Sequence, residues 1–189
     1  MRIVVGMSGA TGAIFGIRIL EALRDLKIET HLVMTKWAKT TIALETGYSV
    51  EDVKKLASVV HAPDNQAASI SSGSFRVDGM IVAPCSMKTL AAIRTGYAED
   101  LLARAADVTL KERRKLVLIA REAPLNDIHL ENMLFLSRMG AVIMPPVPAF
   151  YNHPQTIDDF VNHIVARTLD QFGIDNTLTK RWKDPDQPE

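Results

Sequence analysis

Three short stretches of this chain gather side chains that could do chemistry. Gly6-Met7-Ser8-Gly9-Ala10-Thr11-Gly12-Ala13 follows a β-branched run and opens a helical pattern. Glycines permit a tight turn and close approach of the backbone to a ligand. Ser8 and Thr11 add hydroxyl donors, and a helix N-terminus favours an anion, so the stretch reads as a phosphate or flavin cradle, with an ordinary strand-to-helix turn as the plainer alternative. A nicotinamide dinucleotide site would place an Asp or Glu about 20 residues past the glycines, at the end of the second strand. The chain has Thr35-Lys36 there, which argues against NAD and for a mononucleotide phosphate or ribityl chain. The second stretch is Ala83-Pro84-Cys85-Ser86-Met87-Lys88-Thr89, where Ser86 and Thr89 can cap a helix or donate to a ligand. The third, Ala120-Arg121-Glu122-Ala123-Pro124, puts a cation and a carboxylate at the end of an apolar strand. Two ions there are costly unless they pair with each other or serve a substrate.

Other residues extend the set. Arg104 and Lys111 lie seven apart on a helical stretch and could share a positive face or be separately solvated. The proline-dense run Pro145 to Pro154 would hold Tyr151 stiffly near a site or pack it under a loop. Cys85, the one cysteine, reads as a small buried residue rather than a nucleophile. His31, His61, His129, His153 and His163 show no metal-ligand spacing, so no metal site is expected. Taken together, the hydroxyl-lined glycine turn and the scattered cations suit flavin mononucleotide (FMN) plus a second small anionic substrate. The chemistry indicated is acid–base or phosphate departure, since no redox-active side chain stands out.

The elements that must position these residues alternate short apolar runs with helical periods. Strands are predicted at Ile3–Val5, Thr30–Thr35, Ser58–Val60, Gly79–Ala83 (closed by Pro84), Lys115–Ala120 and Ala141–Met144. Helices are predicted at Ile14–Leu26, Thr40–Glu45, Val50–Leu56, Ser86–Arg94, Glu99–Leu110, from an N-cap at Asp127 to Met139, and at Thr156–Phe172. The polar stretch Ala62 to Ser74 reads as a loop or a loop holding a short helix. Strands alternating with helices imply an α/β fold with a mostly parallel sheet covered on both faces. Ligands of such sheets bind beyond the carboxyl ends of the strands, which is where the three stretches fall.

Composition sets the frame. The chain has 189 residues, 22 Lys+Arg against 22 Asp+Glu, and 47% hydrophobic residues, as for one ordinary globular domain. We expect a single domain over 1–180 and a polar tail over 181–189. Zero net charge weighs against nucleic-acid binding and removes a barrier to self-association. No apolar stretch approaches the ~20 residues of a membrane span, and the N-terminus reads as a strand rather than a signal peptide. A cytoplasmic location without membrane attachment is expected.

GMSGATGA, the Glu45-bearing ALET, APCSMKTLAAIRTGYAEDLLARAADVTLKERRKLVLIAREAPL and PAFYNHP together resemble the UbiX/Pad1 flavin prenyltransferases, from about Met1 to Trp182. The resemblance implies a Rossmann-like, doubly wound, three-layer α/β subunit in a homododecamer with active sites between subunits. It implies transfer of a dimethylallyl group from dimethylallyl monophosphate to N5 and C6 of reduced FMN, without metal. The product, prenylated FMN, would serve a UbiD-type decarboxylase. By resemblance, Gly9, Ala10, Thr11, Thr35, Ser86, Met87, Lys88 and Thr89 bind FMN, and Arg121 serves flavin and substrate phosphate. Lys111, Tyr151 and Arg167 match positions that hold the dimethylallyl phosphate. Glu122 matches a carboxylate that assists phosphate departure, Glu45 one near the reacting flavin edge, and Arg104 and Trp182 further site-proximal positions. Thr11 and Thr35 stand where some members have Ser, keeping the hydroxyl. Two other readings share the FMN cradle. One is an FMN-dependent decarboxylase of a cysteine-containing substrate, which relies on an Asn-rich motif after the fourth strand where this chain has Cys85-Ser86-Met87-Lys88. The other is a non-catalytic FMN carrier, which would leave Lys111, Arg121, Glu122 and Tyr151 without a task.

Overall fold

A computed structural model describes residues 1–183. Six strands, β1 (Arg2–Met7), β2 (Glu29–Met34), β3 (Val59–His61), β4 (Gly79–Cys85), β5 (Lys115–Ala120) and β6 (Val142–Ile143), form one sheet in the order β3-β2-β1-β4-β5-β6. Every neighbouring pair is parallel. The chain runs outward from β1 to β3, then returns to β4 on the other side of β1. That reversal of winding leaves a crevice beyond the carboxyl ends of β1 and β4.

Among the described residues six α-helices lie between strands, α1 (Ala13–Asp25), α2 (Lys36–Glu45), α3 (Val50–Lys55), α4 (Met87–Thr95), α5 (Leu101–Lys111) and α6 (Asp127–Arg138), and α7 (Ile157–Asp170) follows β6. Alternation along the strands divides the core. Ile3, Val5, Met7, Ile81 and Ile119 pack beneath α1 and α7. Val4, Met80, Val82, Leu116 and Leu118 face α4, α5 and α6. The strands are thus apolar on both sides, as a doubly covered parallel sheet requires. No helix of the described residues is long and apolar enough to cross a membrane.

Several boundaries differ from expectation. β1 and β2 begin earlier than their β-branched runs, because β-ladder pairing carries Arg2 and Glu29 into register with each other. β4 continues through Pro84 to Cys85, across a cis Ala83-Pro84 bond and a register shift after Val82 that relieves the proline of a ladder donor. The cap of α6 is Asn126 rather than Asp127. Its side chain accepts from His129 N at 2.9 Å while the His129 ring accepts from Asn126 N. The polar loop holds one 3-10 turn, Ser69–Ser71.

The edge strand β3 is fastened by a ring contact. His61 stacks on the buried His31 of β2, with His31 Nδ1 and His61 Nε2 2.9 Å apart. His31 Nε2 reaches Glu29 at 3.0 Å, and Glu29 pairs with Arg2 at 2.7 Å. The expected polar tail from 181 is described only to Lys183, and the rest lies outside the described residues. Arg181 and Trp182 are packed: Arg181 forms a two-pronged pair with Asp170 at 2.8 and 2.9 Å, and Trp182 lies against Tyr151.

Candidate functional site

The crevice at β1 and β4 is a groove of about 520 Å³ lined by Gly9, Thr35, Lys36, Trp37, Pro63, Asp64, Ser86, Lys88, Thr89, Glu99 and Asp100. Two helices start at it. Thr35 caps α2, its hydroxyl accepting from Ala38 N at 3.2 Å, and Ser86 caps α4, its hydroxyl accepting from Thr89 N at 3.3 Å. The first turns of both helices therefore leave unpaired N–H groups and positive dipole ends at the groove, beside Lys36 and Lys88. The groove is also lined by the acidic residues Asp64, Glu99 and Asp100, the last capping α5 through Ala103 N at 2.8 Å. A phosphate end and a polar, hydroxyl-bearing chain fit this mixed lining, and Trp37, 66% exposed at the lip, offers a flat aromatic face. Thus Gly9, Thr35, Ser86, Lys88 and Thr89 all line this groove. Ala10, Thr11 and Met87 adjoin it in sequence without lining it.

The glycine turn is built differently from the sequence reading. Ser8 is buried, its hydroxyl donating to Pro84 O at 2.9 Å and accepting from Ser86 N at 2.8 Å. It ties the ends of β1 and β4 together and has no hydroxyl hydrogen left for a ligand. A Cβ at Gly9 would collide with the Cβ of Trp37, so this glycine admits the start of α2 against the turn. Gly12 caps α1 at φ +100°, a left-handed backbone that suits glycine. The anion at the start of α1 is supplied by the chain itself. Glu45 Oε2 accepts from Gly12 N at 2.8 Å and Ala13 N at 3.2 Å. A carboxylate 33 residues away thereby takes the place assigned to a ligand phosphate. The phosphate-favouring N-termini are those of α2 and α4.

Arg121 and Glu122 lie just beyond β5, both exposed. They form no ion pair with each other among the described residues, so neither reading based on burial cost applies within one subunit. Glu122 Oε1 accepts from Ala123 N at 3.1 Å. The remaining cations do not join Arg121. Arg104 and Lys111 are on α5, and Arg167 is on α7, across the sheet. The eleven residues of α5 put Lys111 about 16 Å from the groove end of that helix. Each of these three cations also has a carboxylate beside it. Arg104 pairs with Asp107 at 2.6 Å, Lys111 with Glu112, and Arg167 with Asp170 at 3.0 Å. The Lys111 ammonium holds the Glu112 carboxyl below its usual range, and Arg181 does the same to Asp170.

Tyr151, Arg167 and Trp182 do meet, in a second cavity of about 260 Å³ shared with His163, Thr179, Lys180 and Arg181. The Tyr151 ring stands edge-on to Trp182, centroids 5.4 Å apart, and to His163 at 5.7 Å. Sequence reasoning passed over His163, Asn152 and Thr179, and no local spacing signalled them. Cys85 is fully buried in β4, and burial pushes its thiol up to about 12, outside nucleophilic range.

The flavoprotein family pattern matches residues 1–169. A protein of Escherichia coli O157:H7 named a probable UbiX-like flavin prenyltransferase is 65% identical over 184 residues, covering 97% of this chain and 93% of that protein. The crystal structure of a dodecameric FMN-dependent UbiX-like decarboxylase from Escherichia coli O157:H7 superposes with a TM-score of 0.96 at 65% identity, over 97% of this chain and 100% of that one. The structure of AnUbiX (PadA1) in complex with FMN and dimethylallyl pyrophosphate superposes with a TM-score of 0.95 at 58% identity, over 97% of each chain.

Proposed function

We propose, because this chain belongs to the flavoprotein family and within it to the UbiX-like flavin prenyltransferases, that it transfers a dimethylallyl group from dimethylallyl monophosphate to reduced FMN. The observation that carries this reading to the residues is the groove at β1 and β4, lined by two capped helix starts, two lysines and three carboxylates, with Thr35-Lys36 rather than a nicotinamide-type carboxylate at the end of β2. Thr35, Ser86, Met87, Lys88 and Thr89, with Gly9, Ala10 and Thr11, would hold FMN at that groove. Reduced FMN supplies the nucleophilic N5 and C6 positions.

In the reaction, the carbon–oxygen bond of the dimethylallyl phosphate would break, its electron pair leaving on the phosphate, and the allyl group would gain bonds to N5 and C6 of reduced FMN; of the two protons those positions lose, one passes to the allyl double bond and one to the phosphate. Lys111, Arg121 and Arg167 stabilise the negative charge that develops there, with Tyr151 donating its hydroxyl. Phosphate must compete with Glu112 for Lys111 and with Asp170 for Arg167. Arg121, which has no such competitor among the described residues, is then the first to engage it. Glu122 exchanges the proton that phosphate departure requires, and Glu45 acts at the flavin edge while holding the start of α1. Arg104 and Trp182 shape the remaining walls.

These residues occupy separate surfaces of one subunit, so we infer that neighbouring copies complete each site in a homo-oligomer, a dodecamer by analogy with the Escherichia coli relative. Exposed apolar side chains support burial between copies: Leu44, Ile128, Phe150 and Ile157 are 67–81% exposed in the lone subunit. We place the protein in the cytoplasm, as one domain over 1–180, handing prenylated FMN to a UbiD-type decarboxylase.

One anaerobic mass-spectrometry experiment tests the function. Protein is incubated with reduced FMN and dimethylallyl monophosphate, and in parallel with the pyrophosphate, and the flavin is weighed. A five-carbon gain is expected with the monophosphate. A second arm supplies oxidised FMN and a peptide ending in cysteine: loss of carbon dioxide and two hydrogens from the peptide, with the FMN reduced, would point to the decarboxylase, and unchanged flavin and peptide in both arms to a carrier.

A further inference from the structure

His163 lies in the middle of α7 and is 6% exposed. Its Nδ1 is the acceptor of a small network. Thr179 Oγ1 lies 3.1 Å from it and Asn152 Nδ2 3.4 Å, while Asn152 Nδ2 also donates to Thr179 Oγ1 at 3.2 Å. Because Asn152 Nδ2 can only donate, the ring nitrogen it meets carries the lone pair and Nε2 carries the proton. The network thus joins three separate pieces of chain: the loop after β6, the middle of α7 and the C-terminal segment.

The same ring is the floor of the aromatic stack. Tyr151 stands edge-on to His163 at 81°, and Trp182 edge-on to Tyr151 at 83°. One helical turn further, on the same face, is Arg167. All four line one cavity.

We propose that His163 is the positioning residue for the phosphate-binding end of the active site. Its ring sets the Tyr151 ring, and its Nδ1 sets Thr179 and so seats the C-terminal segment that carries Arg181 and Trp182. Tyr151 and Arg167 are thereby presented together to one substrate phosphate. This rests on the functional reading above.

The electrostatic surroundings agree. Burial first, then the charges of Arg167 and Arg181, hold the His163 pKa below the usual histidine value, against an opposing pull from Asp170. Arg167 and Asp170 face it from its own helix, Arg181 and Lys180 from the C-terminal segment, and Tyr151 from the loop. A neutral ring keeps the Nδ1 lone pair on which Asn152 and Thr179 depend, and adds no third positive charge beside the two arginines.

The test compares wild type with His163→Ala and His163→Asn, the latter restoring an amide acceptor near the place of Nδ1. In His163→Ala the kcat/KM for dimethylallyl monophosphate is expected to fall about tenfold, through a higher KM and a lower kcat together because Tyr151 and Arg167 also meet the charge developing on the phosphate, while FMN Kd stays within about twofold. In a Trp37→Phe background used only for spectroscopy without substrates, Trp182 emission anisotropy falls as its ring loses the edge-on contact with Tyr151. His163→Asn recovers most of that anisotropy and part of the kcat/KM. If His163→Ala does not fold, Thr179→Val removes the same hydrogen bond isosterically and should lower kcat/KM about threefold. An active wild type beside an unchanged kcat/KM in the folded variant overturns this inference alone. A fall in FMN affinity as large as the fall in kcat/KM also overturns it, since that is general damage. A wild type that adds no five-carbon unit overturns the functional reading and this inference with it.

Discussion

Ser8→Ala separates a structural serine from a ligand-binding one. The hydroxyl makes two buried hydrogen bonds, to Pro84 O at 2.9 Å and from Ser86 N at 2.8 Å. Pro84 O keeps a second partner, Ser8 N at 3.1 Å, so its loss is small. Ser86 N is left without an acceptor at the cap of α4. One net hydrogen bond contributes about 1 kcal/mol, and a stranded donor costs about 1–3 kcal/mol, so the change should destabilise the subunit by about 2 kcal/mol. For a chain of this length that corresponds to a fall in Tm of about 4–8 °C. FMN affinity should weaken by about tenfold or less, through the loosened Ser86–Thr89 turn alone. Calorimetric melting of the apoprotein and flavin-fluorescence titration read the two effects. Thr11→Val is the mirror experiment: Thr11 is exposed, so its Tm should hold within about 1 °C while FMN binding weakens. A Ser8→Ala protein with unchanged Tm and FMN affinity lost more than about a hundredfold would refute the assignment, because the hydroxyl would then serve the flavin and not Pro84.

Three further outcomes are expected. Glu45→Ala should lower stability by about 1 kcal/mol by uncapping α1, and Glu45→Gln should restore most of it; thermal melts that do not separate the two variants would deny the cap. Glu122→Gln should bind FMN normally and form no prenylated product by mass spectrometry; turnover at the wild-type rate would remove the proton-exchange role. Stability should also fall with pH in two windows. His61, whose pKa burial and then His31 lower, takes up a proton more readily unfolded, so its destabilising effect grows as pH drops from about 6.5 toward the lower folded value. Glu29, held at about 2 chiefly by Arg2 and then His31, stabilises above about 4.5 and loses that contribution as pH falls toward 2. Urea midpoints at pH 7.5 and 5.5 should differ less in His61→Gln than in wild type, the remainder reporting His163; an identical difference would rule out the β3 contact as a cause.

The sheet was legible because parallel strands buried on both faces leave continuous apolar runs such as Lys115–Ala120. The reversal between β1 and β4 then located the groove, and Thr35, Ser86 and Thr89 fell on it. What stayed hidden depended on partners distant in sequence. Glu45 at the start of α1 and Ser8 beneath Pro84 are pairings across 33 and 76 residues, and no local spacing records them. Asn126 and Asp127 are equally good caps in isolation, and only the His129 ring decides between them. The cations misled for a related reason. Residue order says that Arg104, Lys111 and Arg167 follow one another, but not that α5 and α7 cover opposite faces of the sheet.

That separation of α5 from α7 has a genetic consequence. If the groove of one copy is completed by cations from another, a lesion in the groove and a lesion on α7 damage different halves of every site. Two chains, each inactive alone, would reassemble some intact sites when produced together, about a quarter of them for random equal mixing of two contributing surfaces. Alleles sorted by this rescue would group by surface rather than by position along the chain. The groups would draw the boundaries between subunits without any image of the assembly.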